Sequence, residues 1–279
     1  MAPLGIIAGL GDLPVQVADA ALERGQGVFV LRLKGFIEPA LDSYPGQIAG
    51  IAELGKAFKA FKNAGCEQIC FAGIVERPDF KDLKPDLKAL PLLPKAIAAA
   101  REGDDALLRF MVGVFEDEGF EIIGADEAAQ ALTVKVGTLT ETKPSDEALA
   151  DLNKAAEVAL EIGRMDIGQG AIVARGLVLC VEAQEGTDAM LDRCAGLPEK
   201  LRGTASERIG VLVKRPKPQQ ERRIDMPTIG CTTVEKVAAA GLAGIGLEAG
   251  GALILNAERV RARADELGIF VHVFAKDAS

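Results

Sequence analysis

The chain has 279 residues, 49% of them hydrophobic and 26% charged, and a net charge of −9. That length is enough for two domains with real cores, and the balance excludes a disordered chain. The acidic excess, the absence of Trp and the single Tyr argue against a nucleic-acid binder or a base-stacking platform.

The first seventy-odd residues alternate strand and helix. Leu4–Ala8 is an apolar run ending in Gly9-Leu10-Gly11-Asp12-Leu13-Pro14. A helix is predicted over 15–24, a strand over 28–31, a helix over 56–63 and a strand over 68–72. Strands separated by helices favour a parallel sheet with right-handed crossovers. Residues 76–95 are Pro-rich and charged and read as a loop. Helices follow over 95–101 and 104–118, with Asp104 as N-cap, then a strand over 120–124. Residues 133–146 hold four Thr, a Pro and a Ser with little periodicity and read as a linker. Ser145 caps a helix over 146–164. Strands are expected over 171–174, 177–181 and 209–213, a helix over 234–240, a strand over 252–255, a helix over 257–267 and a strand over 269–273. Gly241, Gly244, Gly246, Gly250 and Gly251 suit turns rather than a membrane helix. The expected fold is α/β. An N-terminal Rossmann-like domain (1–132) with a parallel sheet is joined by a Thr/Pro-containing linker (133–146) to a C-terminal α/β catalytic domain (147–279).

The five cysteines are odd in number and show no Cys-x-x-Cys spacing, which fits a reducing compartment without a disulfide framework. His272 is the sole histidine, so a zinc site built from several His is excluded, and it reads as a strand residue. No signal peptide is expected, because Met1–Leu4 lacks a basic start and runs into a strand. The location is cytoplasmic by default.

Three segments carry chemistry. The turn at Gly9, Gly11 and Asp12 follows a strand and opens a helix, where backbone N–H groups and the helix dipole suit phosphate. Pro14 replaces the third glycine of a dinucleotide fingerprint, and Arg32-Leu33-Lys34 offers no acid for a ribose, so NAD is a weak reading. A purely structural tight turn remains open. Residues 193–223 hold nine basic residues against three acidic ones. That is a solvated basic face or an anion site that focuses the field on a phosphate-bearing ligand. Lys214, Lys217 and Arg223 belong to it. Asp225 follows in a Pro-stiffened stretch, where a carboxylate either binds a divalent metal, orients a water against phosphorus, or pairs with Arg222 or Arg223. Glu182–Asp188 follows a strand end. Thr187 or Asp188 caps the next helix there, or the carboxylates hold a hard cation, Mg²⁺ or Mn²⁺.

Taken together, Asp166-Ile167-Gly168-Gln169, Val181-Glu182 through Glu185-Gly186-Thr187-Asp188, Lys217-Pro218-Gln219 and Arg223-Ile224-Asp225-Met226-Pro227-x-Ile229-Gly230 resemble the LpxI-type UDP-2,3-diacylglucosamine pyrophosphatases. Gly5 to Pro14 and Arg77-Pro78-Asp79 fit as well, so the likeness spans essentially the whole chain. Gln220 departs from it, since an Asp is expected after Lys-Pro-Gln.

The resemblance implies a two-domain cytoplasmic hydrolase of lipid A biosynthesis at the cytoplasmic face of the inner membrane. With Mg²⁺ or Mn²⁺ it would split UDP-2,3-diacylglucosamine into UMP and 2,3-diacylglucosamine 1-phosphate (lipid X) by water attack on the sugar-side phosphorus. Asp225 would be the essential carboxylate and, with Asp188, a metal ligand. Lys214, Lys217 and Arg223 would neutralise the diphosphate. Gln169, Thr187, Gly9, Gly11 and Asp12 would contact substrate. The two acyl chains would need an apolar slot and would bring the protein to the membrane surface peripherally. No nucleic-acid partner is expected, and the oligomeric state, a homodimer included, stays open. The competing reading is a non-catalytic nucleotide-sugar or phospholipid binding protein using the same basic loop.

Overall fold

The computed structural model describes residues 1–276; residues 277–279, the end of the expected C-terminal domain, lie outside the described residues. The chain divides into two compact units. The first comprises residues 1–130 with Glu221–Asp225, and the second comprises 131–220 with 226–279.

In the first unit, β1 (Leu4–Ala8) leads through a glycine turn to α1 (Leu13–Glu23). Then come β2 (Val28–Leu33), a 3₁₀ turn over Pro39–Ser43, β3 (Gly46–Ala49), α2 (Leu54–Asn63) and β4 (Gln68–Ala72). After the Pro-rich stretch follow α3 (Leu93–Glu102), α4 (Asp104–Asp117), β5 (Glu121–Ile123) and α5 (Ala125–Ala128). The five strands pair in the order β3-β2-β1-β4-β5, all parallel. Every residue of β1 is buried, as a central parallel strand covered on both faces requires. The scarce aromatics gather beside this sheet: Phe58 meets Phe115 edge-on at 5.0 Å between ring centres, and Phe61, Phe120, Phe29 and Phe71 join the cluster. Asp104 is the first residue of α4 and Gly103 occupies the cap position, so the expected Asp104 cap is displaced by one residue.

The second unit begins with β6 (Gly137–Thr138), which pairs antiparallel with the last strand of the chain. The stretch expected as a linker is therefore partly sheet. Thr140 is buried within it, and its hydroxyl oxygen accepts the Val271 N–H at 3.0 Å. Next come α6 (Asp146–Arg164), β7 (Gly170–Ala174), β8 (Leu177–Val181), α7 (Gly186–Ala195), α8 (Glu199–Arg202) and β9 (Val211–Lys214). The unit finishes with β10 (Thr228–Ile229), α9 (Cys231–Ala239), β11 (Gly244–Glu248), β12 (Leu253–Ile254), α10 (Ala257–Leu267) and β13 (Phe270–Phe274). Ser145 caps α6 as expected, its Oγ accepting the Ala148 N–H at 3.2 Å.

The large sheet runs β6-β13-β11-β9-β7-β8, with β13, β11 and β9 mutually parallel and β6, β7 and β8 making antiparallel pairs. β10 and β12 form a separate two-stranded ladder. Alanines of α6 pack on the face that holds Val173, Val211, Val213 and Phe270. Residues of α7, α9 and α10 join the larger core with Ile172, Leu212 and Ile245. β11 corrects the reading of Gly244 and Gly246 as turn residues. A Cβ on Gly244 would lie 2.5 Å from the Phe270 ring, and one on Gly246 3.0 Å from Leu152. The glycines mark a central strand against which neighbouring side chains press, a use of glycine that hides a strand from propensity.

Candidate active site

Parallel strands point their carboxyl ends to one edge of a sheet, the place where open α/β sheets gather ligands. In the second unit that edge is made by Lys214, the last residue of β9, and Glu248, the last of β11. Lys214 is buried, and its Nζ donates to the Thr228 carbonyl at 3.2 Å. Arg215 follows, also buried. Its guanidinium meets Glu248 Oε2 at 2.7 Å and donates to the Ala156 carbonyl at 3.2 Å.

From there the chain is irregular to Pro227, as expected, but residues 217–220 are pinned rather than loose. Lys217 Nζ pairs with Asp166 Oδ1 at 2.6 Å. The Lys217 N–H donates to Gln220 Oε1 at 2.9 Å, and Gln220 Nε2 donates to Gln169 Oε1 at 3.2 Å. An Asp at 220 could not make the donation to Gln169. The departure noted there thus coincides with a residue that uses both ends of its amide.

Glu182, expected only as one of several carboxylates in the Glu182–Asp188 stretch and given no role of its own, sits just after β8 with 6% of its surface exposed. Its Oε1 accepts the Thr187 hydroxyl at 3.0 Å, and its Oε2 is buried with no hydrogen-bond partner among the described residues. A Cβ on Gly170 would come within 2.5 Å of Oε2, so glycine makes the room for this carboxylate. One of the two readings for this stretch has Thr187 or Asp188 as the cap of α7. Instead Glu185 holds the cap position, and Thr187 and Asp188 lie in the first turn, Asp188 exposed. With its proton directed at Glu182, the Thr187 hydroxyl is left with acceptor capacity only.

The remaining expected residues belong to the first unit. Gly9, Gly11 and Asp12 lie at the carboxyl end of β1, where the strand order reverses between β1 and β4. The turn's amides are engaged: Gly9 N–H donates to Ala72 O at 2.9 Å, Leu10 N–H to Ile74 O at 2.9 Å and Gly11 N–H to Glu38 Oε2 at 3.3 Å. Asp12 is exposed and caps α1 without a side-chain bond.

Arg223 and Asp225 sit on the five-residue segment counted with this unit. Arg223 Nε and Nη2 reach the two oxygens of Glu221 at 2.9 and 2.8 Å, and Nη1 reaches Glu116 at 2.7 Å. The Arg223 guanidinium holds the Glu221 carboxyl below the usual carboxylate range. The expectation that Arg223 faces a diphosphate therefore meets a side chain already gripping two carboxylates. Asp225 is half-buried at the end of the segment, its N–H donating to the Glu221 carbonyl at 3.1 Å. The basic run is likewise not one patch. Arg193 pairs with Glu185, Arg215 with Glu248 and Lys217 with Asp166, while Arg208 bonds the Ala238 carbonyl.

Asp188 and Asp225 fall in different units, and no three His, Cys, Asp or Glu side chains converge on a metal position among the described residues. Asp188 in one unit and Asp225 in the other are each a single carboxylate. A single carboxylate fits Mg²⁺ only as one ligand beside waters and substrate phosphates, not as part of an all-protein cage. Two surface depressions, about 260 Å³ around Arg175, Glu199 and Lys200 and about 330 Å³ beside Cys231, Arg259 and Arg263, include none of these residues.

Residues 3–132 match the family described as the LpxI N-terminal domain, and residues 135–272 match the LpxI C-terminal domain. A protein of Caulobacter vibrioides (strain ATCC 19089 / CIP 103742 / CB 15), named UDP-2,3-diacylglucosamine pyrophosphatase LpxI, is 55% identical over 271 residues, which cover 97% of this chain and 97% of that protein.

Proposed function

The chain belongs to the LpxI family, and we propose that it hydrolyses the pyrophosphate bond of UDP-2,3-diacylglucosamine, releasing UMP and 2,3-diacylglucosamine 1-phosphate for lipid A biosynthesis. The observation that carries this reading is the 55% identity to a protein of that name along 97% of both chains. Asp225 and the Lys214–Lys217 stretch are the chain's own contribution to it.

In this mechanism a water oxygen bonds to the sugar-side phosphorus as the bridging P–O bond breaks. UMP departs with the bridging oxygen. Asp225 orients that water and accepts its proton. Lys214 and Lys217 offset the charge that develops on the diphosphate, each using one of its three donors on a protein oxygen and keeping the others for ligand. Thr187, its own proton held by Glu182, accepts from a substrate hydroxyl or amide, and Gln169 and the Gly9–Asp12 turn complete recognition. Asp225 in the first unit and Asp188 in the second are the candidate carboxylates for Mg²⁺ or Mn²⁺, which would supply charge neutralisation at the reacting phosphorus.

No helix among the described residues is long and apolar enough to cross a membrane. In this proposal the acyl chains of the substrate draw the enzyme to the cytoplasmic membrane surface.

Turnover in ¹⁸O-labelled water tests the assignment. The label is expected in the phosphate of the lipid product and not in UMP. Label in UMP would overturn the site of attack, and no release of either product with Mg²⁺ or Mn²⁺ would overturn the activity in favour of a binding protein.

A further inference from the structure

We infer that Asp105 is a positioning residue for Asp225, acting through a clasp that holds the segment Glu221–Asp225. The inference rests on the assignment of Asp225 as the reactive carboxylate.

The segment has no helix or strand to shape it, yet three independent ties fix it. Asp105, in the first turn of α4, is 5% exposed. Its Oδ1 accepts the Glu221 N–H at 2.8 Å, and its Oδ2 is held by Arg109 one helical turn later. The carboxylate lies at the amino end of a fourteen-residue helix, which favours its charge. Toward the other end of the same helix, Glu116 receives Arg223 at 2.7 Å. Between these polar ties Ile224 packs on the core that holds Phe58 and Phe115. The Glu221 carbonyl then accepts the N–H groups of both Ile224 and Asp225 at 3.1 Å, so a tight turn passes the geometry of Glu221 directly to Asp225.

A buried carboxylate is costly unless it is paired, and Asp105 is paired on one side with Arg109 and on the other with a backbone N–H of an irregular segment, a tie that a simple connection would not need. It gives one atom of the chain a fixed address four residues from Asp225. A misplacement of about 1 Å at a reacting group costs about 100-fold in rate, so the clasp acts on kcat rather than on substrate affinity.

Asp105→Ala and Asp105→Asn in the full-length protein, with Glu116→Ala as a variant at the exposed tie, test this. Two measurements are made: steady-state kinetics, and amide hydrogen exchange of the peptide spanning 221–225. Asp105→Ala is expected to speed exchange in that peptide and lower kcat about 100-fold, with KM within about threefold. Asp105→Asn keeps an acceptor oxygen for Glu221 N–H and restores most of the rate. Glu116→Ala speeds exchange around Arg223 and lowers kcat by a smaller factor, which keeps the test open if Asp105→Ala does not fold. Unchanged exchange in the Ala variants, a loss confined to KM, or no rescue by Asn overturns the clasp. Full turnover by Asp225→Asn would instead overturn the reading of Asp225, and the exchange result would still decide the clasp.

Discussion

His272 is a strand residue, as its run of apolar neighbours predicts, and its Nδ1 lies 2.8 Å from the Thr138 hydroxyl across the β6–β13 pair. Burial holds its pKa below the ordinary histidine value. The folded protein thus takes up a proton less readily than the unfolded chain. Stability falls as pH drops below the unfolded value, ~6.5, and goes on falling until the folded pKa is passed. His272→Gln should flatten the decline of Tm between about pH 7 and about pH 5.5; a variant that tracks the wild type would contradict the assignment. The same scale separates what the sequence could and could not show. Asp225 stood out because an acid among Lys and Arg is unusual, whereas Glu182 and Asp105 are ordinary acids near helix starts. Only folding buries them and directs one at Thr187 and the other at Glu221.

Elements with a strong periodic pattern were legible: β1, β2, β4, the Ser145-capped α6 and β13 all lie where apolar spacing and cap residues place them. β3 escaped because it is an edge strand with only Ala49 buried, so no alternation marks it. β11 escaped because its glycines serve packing against Phe270 and Leu152, which are distant in sequence. That strand matters, since its last residue, Glu248, closes a buried pair with Arg215 at the base of the loop leading to Asp225. Their side chains are 2% and 7% exposed, so removing one partner leaves a charge with little access to water. Glu248→Ala should cost about 3–5 kcal/mol in denaturant unfolding; a loss below about 1 kcal/mol would place the pair with weak surface bridges.

At the scale of the molecule, alternating strands and helices revealed two α/β units, and the family likeness revealed an enzyme. What they did not reveal is that a five-residue piece, Glu221–Asp225, folds with the first unit while its flanks belong to the second. Sequence distance hides this, because Asp105 and Glu116 meet the segment from more than a hundred residues away. Asp225 is therefore placed by the first unit, whereas Lys214 and Lys217 lie in the second. The most direct test of the account is UMP release from UDP-2,3-diacylglucosamine by Asp225→Asn, with substrate binding measured in parallel. The variant should bind substrate but release UMP about 10³-fold more slowly than the wild type. Release at the wild-type rate would contradict the central role given to Asp225.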